Sequence, residues 1–368
     1  MKRSLVFCAI SLHQMAGGLE KNIVLLANHF SDKDWDVEII TFDLPGSESF
    51  FQIRPSVIWR QVGVKLPHRS ISFTDRMLVM KKIREIIQRK SNSILIVFHH
   101  GILFRYFLST IFLKKSVICS ERNSLSLYKH VRLSKWNLNF MMLSWVDKIT
   151  VQFDQYIEDY PCFFRNKIVS ISNPIFPSPQ FSHPSIPSSS GKYILLHVGR
   201  LCTQKQQDLL IDSFTKLLPE FNDWELHILG DGEHYEKLQK KIEQSCTAQH
   251  VFLHGKVFDV STWMEKSHIF CLPSQWEGFP NALAEAMAHG LPCVGFANCA
   301  GVRDLIEDGV TGRLVVGENC AESLAIALRE LMANTELRKQ FGQNALEFTK
   351  SFSPQRIFRQ WEDLFLAQ

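Results

Sequence analysis

Short, almost uninterrupted apolar runs alternate with longer stretches of helical period along the chain. In the first half the runs are SLVFCAI, VEIITF, ILIVF, SVIC and KITVQ; in the second they are YILLHV, ELHILG, VFLHG, IFCLP and PCVGF. Runs without polar alternation predict strands buried on both faces. The stretches between them, such as DRMLVMKKIREIIQRK and PNALAEAMAHG, then predict helices covering parallel sheets. The halves also open alike. SLVFCAI meets Gly17-Gly18 and then LEKNIVLLANHF, while YILLHV meets Gly199-Arg200 and then QQDLLIDSFTKLL. Strand, glycine turn and helix form the opening of a doubly wound α/β domain, and it occurs twice.

Between the halves, residues 173–191 (NPIFPSPQFSHPSIPSSSG) hold five prolines and six serines in 19 residues. Proline lacks the N–H that a helix interior or central strand needs, and serine adds no core, so this segment predicts a linker. The expected organisation is a domain over 1–172, a linker over 173–191, a second domain over 192–350 and an amphipathic helix over 351–368. That helix gathers Ile357, Phe358, Trp361, Leu364 and Phe365 on one side, to pack on either domain or bridge both. The opening residues, MKRSLVFCAISLHQMAGG, imitate a signal peptide. Their continuation as an amphipathic helix favours a first buried strand over Ser4–Ile10.

Composition narrows the class. With 45% hydrophobic and 21% charged residues, disordered, collagenous and low-complexity chains are excluded. The 368 residues exceed the ~250–300 at which a single core stops growing. No apolar run reaches the ~18 residues of a spanning helix. Nine cysteines without C-x-x-C or zinc-ligand spacing predict reduced thiols in a cytoplasmic protein. The net charge of +4 conceals an asymmetry: Lys and Arg outnumber Asp and Glu by 24 to 14 in residues 1–180, and are outnumbered 17 to 23 beyond. Either the first half faces a polyanion or anionic membrane, or the imbalance has no partner.

Three segments carry candidate chemistry. In SQWEGFPNALAEAM, Glu277 falls in a loop and Glu285 on the helix that follows Pro280, with Asn281 as its expected N-cap. Such a loop could present a carboxylate for sugar hydroxyls and helix N–H groups for phosphate, but the two glutamates by themselves fit an ordinary exposed Glu followed by a capped helix better. In GRLCTQKQ, Gly199 ends a strand and Arg200 and Lys205 follow. A guanidinium fork and an ammonium point charge suit a departing diphosphate, although two solvated surface cations fit equally. Gly17-Gly18 permits close ligand approach, or is a plain tight turn. Later glycines (Gly230, Gly232, Gly290, Gly301, Gly309, Gly312) read mostly as turns, with Gly301 placed to bring amides near a ligand.

Taken together, GR-x(4)-K, GDG, EGFPNALAEAMAHGLPCV and GVRDLIEDGVTGRLV resemble, in order and spacing, glycosyltransferase family 4. These are retaining nucleotide-sugar transferases of GT-B fold, in which two doubly wound Rossmann-like domains face each other across a cleft. The resemblance spans essentially the whole chain. It implies that Arg200 and Lys205 hold the donor diphosphate and that Glu285 accepts the ribose hydroxyls. It places Glu277 at the donor sugar, as the catalytic carboxylate. Gly199, Gly278, Phe279, Pro280, Asn281 and Ala282 would line sugar and phosphate with backbone groups, and Gly17 and Gly18 would close over the diphosphate. The base would lie near Lys256 and Val257, and the C-terminal helix would cross back to the first domain.

Many relatives carry a histidine after a first-domain strand, where this chain has Ser120-Glu121-Arg122-Asn123. Glu121 and Arg122 are therefore acceptor-side candidates, together with His13, His99 and His100, the last two also fitting a structural pair. The D-x-D triplets of Asp32-Lys33-Asp34-Trp35-Asp36 read as a solvated turn, so neither metal nor cofactor is expected, and positive groups replace Mg²⁺. The resemblance implies a hexose or N-acetylhexosamine moved from a nucleotide-diphosphate sugar, UDP by preference. The acceptor is a glycan hydroxyl, expected on a lipid-linked oligosaccharide for a bacterial surface polysaccharide such as O antigen. Nucleic acid is not an expected partner. Residues 76–90 and 105–115, both basic and apolar, either cover the first sheet or lie on an anionic membrane. A nucleotide-sugar-binding protein that has lost transfer is the alternative. A nicotinamide oxidoreductase is disfavoured because neither glycine turn is G-x-G-x-x-G.

Overall fold

A computed structural model describes residues 3–64, 72–90, 92–125, 138–188, 190–245 and 247–368. The chain forms two compact units, residues 1–173 with 357–368, and residues 174–356. The predicted fold class holds, since each unit is a parallel sheet with helices. The first sheet contains β1 (Ser4–Cys8), β2 (Asp36–Thr41), β3 (Ile58–Gln61), β4 (Ser93–Phe98), β5 (Ser116–Ser120), β6 (Lys148–Val151) and β7 (Ile168–Ser170). Their order is β3-β2-β1-β4-β5-β6-β7. The second contains β8 (Tyr193–Val198), β9 (Trp224–Leu229), β10 (Val251–Leu253), β11 (Ile269–Leu272), β12 (Cys293–Phe296) and β13 (Gly312–Val315), in the order β10-β9-β8-β11-β12-β13.

Each sheet is built outward from its first strand. β1 pairs in parallel with β2 and β4, Leu5 standing opposite both Val37 and Ile94. All five β1 residues are buried, so the opening run is a central strand. The chain winds from β1 to one edge, then crosses back and fills the other. The direction therefore reverses between β1 and β4, and in the second unit between β8 and β11. Every apolar run of the sequence became a strand. The strands it did not announce, β3, β7 and β13, are all sheet edges. An edge strand has one neighbour and less core to fill, so its sequence carries charge. In β3, for example, Arg60 pairs with the buried Glu38 of β2 at 3.2 Å.

The proline-rich segment is not a free linker, because residues 174–191 belong to the second unit. Its polar backbone is held at several points. Ser182 N donates to His289 O (2.8 Å), Arg338 Nε donates to Pro184 O (2.7 Å), and Ile186 O lies 2.7 Å from His268 Nε2. Prolines remove donors but leave carbonyls, and buried side chains supply what those carbonyls need. The helix Pro354–Leu366 contributes from Ile357 onward to the first unit. Ile357, Phe358, Trp361, Leu364 and Phe365 enter one core with Phe7, Phe30, Trp35 and Ile39.

The helix Phe73–Gln88 buries Val79, Ile83 and Ile87 and packs against the helix Leu103–Thr110. Its other side exposes Phe73, Met77 and Leu78. No described helix is long and apolar enough to cross a membrane. The eight described cysteines are unpaired, and Cys246 lies outside the described residues. The D-x-D carboxylates diverge: Asp36 pairs with Lys90, and Asp32 lies 3.4 Å from Arg54.

Candidate functional site

In an open parallel sheet, ligands bind at the carboxyl ends of the strands where the winding reverses. In the second unit that point lies between β8 and β11. β8 delivers Gly199 and Arg200, a 3-10 turn over Thr203–Lys205, and then the helix Gln207–Leu217. Gln206 joins them in the left-handed region at φ +50°. β11 delivers Ser274 through Pro280 and the helix Asn281–Ala288. The two segments are tied together. Gln275 N donates to Gln204 O at 2.8 Å, and Gln204 Nε2 donates to Trp276 O at 2.6 Å. Lys205 Nζ donates to Glu277 Oε1 at 2.5 Å, with side chains only 16% and 9% exposed. Arg200 is exposed and has no ion-pair partner among the described residues.

Beneath this pair lies a residue that the sequence reading did not single out. His197 is fully buried, with Nδ1 2.9 Å from Cys271 O and Nε2 3.2 Å from Gln207 Nε2. Gln207 also donates to Arg200 O at 2.8 Å. Burial pulls the His197 imidazole down to about 4, against its bond to Cys271 and with help from Lys205. A neutral ring thus donates to the Cys271 carbonyl and accepts from Gln207, bracing β8, β11 and the turn between them. A histidine inside an otherwise apolar run was the available signal.

Glycines bring further loops to the same edge. A Cβ on Gly230, at φ +140°, would stand 2.0 Å from Gly199 O, and Gly230 N donates to Gly255 O at 2.8 Å. The ends of β8, β9 and β10 are therefore in backbone contact, and Lys256 and Val257 follow directly. A Cβ on Gly301 would stand 2.4 Å from Gly278 O, so this glycine is a close approach to the Glu277 loop and not merely a turn. The structure thus assembles Gly199, Arg200, Lys205, Glu277, Gly278, Phe279, Pro280, Asn281 and Ala282 where β8 meets β11. Glu285 sits on the second turn of the following helix, while Lys256 and Val257 lie beyond β9. One detail differs from the reading. Asn281 is the first helical residue and Pro280 occupies the cap. Pro280 has no N–H to lose at the helix start.

The first unit has its own reversal point, between β1 and β4. Gly17 caps the helix Gly18–Asp32, and its lack of a side chain leaves room for Glu20 Oε2, 2.2 Å from where a Cβ would be. His13 is exposed, and its Nδ1 accepts from Glu48 N at 3.2 Å. Leu12 N donates to the buried Asp43 carboxylate at 2.8 Å, fixing the loop.

His99, His100, Glu121 and Arg122 follow β4 and β5. Glu121 is buried, and its Oε1 accepts from His100 N at 2.5 Å and His100 Nδ1 at 2.8 Å. Burial alone would raise the Glu121 carboxyl, but the charge and hydrogen bonds of His100, with His99 adding, hold it at about 2. Burial likewise lowers the His100 imidazole, yet the Glu121 charge and hydrogen bond prevail and leave it raised. Arg122 turns inward between the rings of Phe98 and Trp361, at 5.6 and 5.4 Å, and donates to Asn173 Oδ1 at 3.1 Å. Burial lowers its guanidinium to about 9, against Glu121.

His99, His100 and Glu121 place one metal-ligand atom each within 4.8 Å of one another. The two rings, however, stack at 4.6 Å and 18°, which aims their in-plane lone pairs side by side. Glu121 Oε1 already accepts from His100 N, from His100 Nδ1 and from Cys119 Sγ at 3.4 Å. This cluster is organised as an ion pair beneath a second histidine.

Fold and reversal-point sites define a protein of two doubly wound units, the second of which carries paired charges at its binding edge. The family model "Glycosyl transferases group 1" matches residues 180–348. An uncharacterized glycosyltransferase of Haemophilus influenzae is 29% identical over 350 residues, covering 95% of this chain and 96% of that protein. The lipopolysaccharide 1,6-galactosyltransferase of Salmonella typhimurium is 33% identical over 152 residues, covering 40% of this chain and 39% of that one. Among solved structures, HepE of Anabaena in complex with UDP-glucose superposes with a TM-score of 0.77 at 15% identity, over 99% of this chain and 100% of that one.

Proposed function

We propose that the protein is a retaining glycosyltransferase of family 4 that moves a hexose or N-acetylhexosamine from a UDP-sugar to a glycan hydroxyl. The observation that carries this reading is the Lys205–Glu277 pair beside the exposed Arg200, at the point where β8 and β11 diverge. Arg200 and Lys205 take the diphosphate, Glu277 the hydroxyls of the sugar, and Glu285 the ribose. As the anomeric C–O bond to the diphosphate breaks, its electron pair passes to the leaving phosphate. The acceptor oxygen forms the new bond on the same face, and its proton goes to that phosphate. Two cations stabilise the departing charge without a metal.

The acceptor is a lipid-linked oligosaccharide of a surface polysaccharide, met by a cytoplasmic enzyme at the membrane surface. Supporting this, Phe73 (77% exposed), Met77 and Leu78 stand on a helix that also carries Arg76, Lys81 and Lys82, and Phe112 is 92% exposed beside Lys114 and Lys115. Apolar side chains among cations suit an anionic lipid surface.

A thermal-shift panel of nucleotide sugars, followed by UDP-release assays with lipid-linked acceptors, tests the transfer. Arg200→Ala is expected to stay folded and lose about a hundredfold or more in turnover. Full turnover in that folded variant refutes the diphosphate assignment. Flotation with anionic liposomes tests the membrane part, and no binding at low salt removes it.

A further inference from the structure

One buried polar side chain beside the two cations takes no part in the transfer step. Gln207, the first residue of the helix Gln207–Leu217, is 1% exposed. Lys205, two residues earlier, reaches Glu277, and Gln206 between them holds the left-handed φ of +50°. Gln207 reaches back instead. Its Nε2 lies 2.8 Å from Arg200 O and 3.2 Å from His197 Nε2. His197 Nδ1 in turn lies 2.9 Å from Cys271 O.

The direction of every bond in this series is fixed from its two ends, because a backbone carbonyl only accepts. Cys271 O takes its proton from His197 Nδ1, and the neutral ring keeps a lone pair on Nε2. Arg200 O likewise requires the amide nitrogen of Gln207 and not its oxygen. Both Gln207 N–H groups are then spent, one on Arg200 O and one on His197 Nε2. The series runs from β11 to the Arg200 peptide, and no bond in it can be reversed. It also touches the second cation. A Cβ on Gly199 would stand 3.3 Å from His197 Nε2 and 3.4 Å from Lys205 Cε, so ring, glycine and lysine stem are packed together.

We infer that Gln207, braced by His197, is a positioning residue of the diphosphate site, fixing the Arg200 peptide so that the guanidinium stands beside Lys205 before a ligand arrives. The reason is entropic. Arg200 is exposed and has no ion-pair partner among the described residues, so its own side-chain contacts do not hold it. A long side chain on a free peptide loses freedom when it closes on a ligand. A bond that fixes the peptide from beneath removes part of that cost in advance. Gln207 is itself too buried to touch the ligand, and it acts through Arg200. The inference rests on the transferase reading above, in which Arg200 and Lys205 take the diphosphate.

UDP and uridine separate the diphosphate from the rest of the nucleotide. Gln207→Met keeps the length of the side chain and removes both donors. Titration calorimetry gives the affinity of both ligands for the native protein, Gln207→Met, Arg200→Ala and the double variant. Gln207→Met is expected to weaken UDP about tenfold and to leave uridine unchanged. On top of Arg200→Ala the same change is expected to cost less than about threefold, since the freed peptide then carries no guanidinium. Native UDP affinity in Gln207→Met, an equal loss for uridine, or a loss of about threefold or more on top of Arg200→Ala overturns the assignment. Should Gln207→Met fail to fold, Gln207→Asn draws the amide back by one methylene, and weakened UDP with unchanged uridine is again expected; unchanged UDP refutes the role. Histidine ¹⁵N resonances of the native protein need no variant. His197 is expected as the Nδ1–H tautomer near pH 7, and an Nε2–H or doubly protonated ring refutes the series. If the native protein binds UDP no more tightly than uridine, the transferase reading falls and the role of Gln207 with it, even where the tautomer is as expected.

Discussion

Replacing either member of the Lys205–Glu277 pair separates its structural role from its binding role. At 2.5 Å, an effective dielectric near 20 gives a gross attraction of roughly 6–7 kcal/mol, most of it cancelled by desolvation of two side chains only 16% and 9% exposed. The net value of a hydrogen bond between charged groups is about 1.5–3 kcal/mol. Lys205→Met leaves a poorly solvated carboxylate, and Glu277→Gln leaves a poorly solvated ammonium. Each single change should therefore cost about 2–4 kcal/mol, and the double variant less than the two together. Urea unfolding of the four proteins gives the coupling energy, expected near 2 kcal/mol. UDP, which lacks the sugar, adds a second sign. Glu277→Gln releases Lys205 for the diphosphate and should tighten UDP several-fold, while Lys205→Met should weaken it. Losses additive to within about 0.5 kcal/mol, or UDP affinities that move together, would refute the reasoning.

Other outcomes follow from the same geometry. Glu121 is held at about 2, below its unfolded value of 4.5, so it contributes stability above pH 4.5, about 3 kcal/mol, lost as pH falls toward 2. The raised His100 contributes below its ordinary value of 6.5, and that share fades as pH rises through its folded value. Stability of Glu121→Gln measured across pH 3–8 should lose both slopes; an unchanged acid limb contradicts the ion pair. Gly230→Ala should cost about 2–4 kcal/mol, because its Cβ would meet Gly199 O at 2.0 Å, and differential scanning calorimetry checks this. Trp361→Ala should cost about 3–5 kcal/mol by opening the core shared with Phe30 and Phe365, read from urea unfolding; a loss under 1 kcal/mol contradicts that packing.

Local sequence determined the units of this fold. Short apolar runs without alternation between turn signals read as strands of a covered sheet, and each of them is a strand. Gly199-Arg200 and Glu277-Gly278 were legible as loop residues because the first follows such a run directly and the second within four residues. Three of the four edges were not legible, since β3, β7 and β13 have only one neighbour each and little apolar signal, whereas the edge strand β10 was announced by VFLHG. Nor was the packing of the proline-rich segment, whose carbonyls find Arg338 and His268 more than eighty residues away. Strand order, too, is a tertiary property. It alone sets β8 beside β11 and so joins Lys205 to Glu277 across 72 residues of sequence. The inward turn of Glu121 belongs to the same class. A residue's type is local, but whether it faces water or a buried partner depends on which strand lies next to its own.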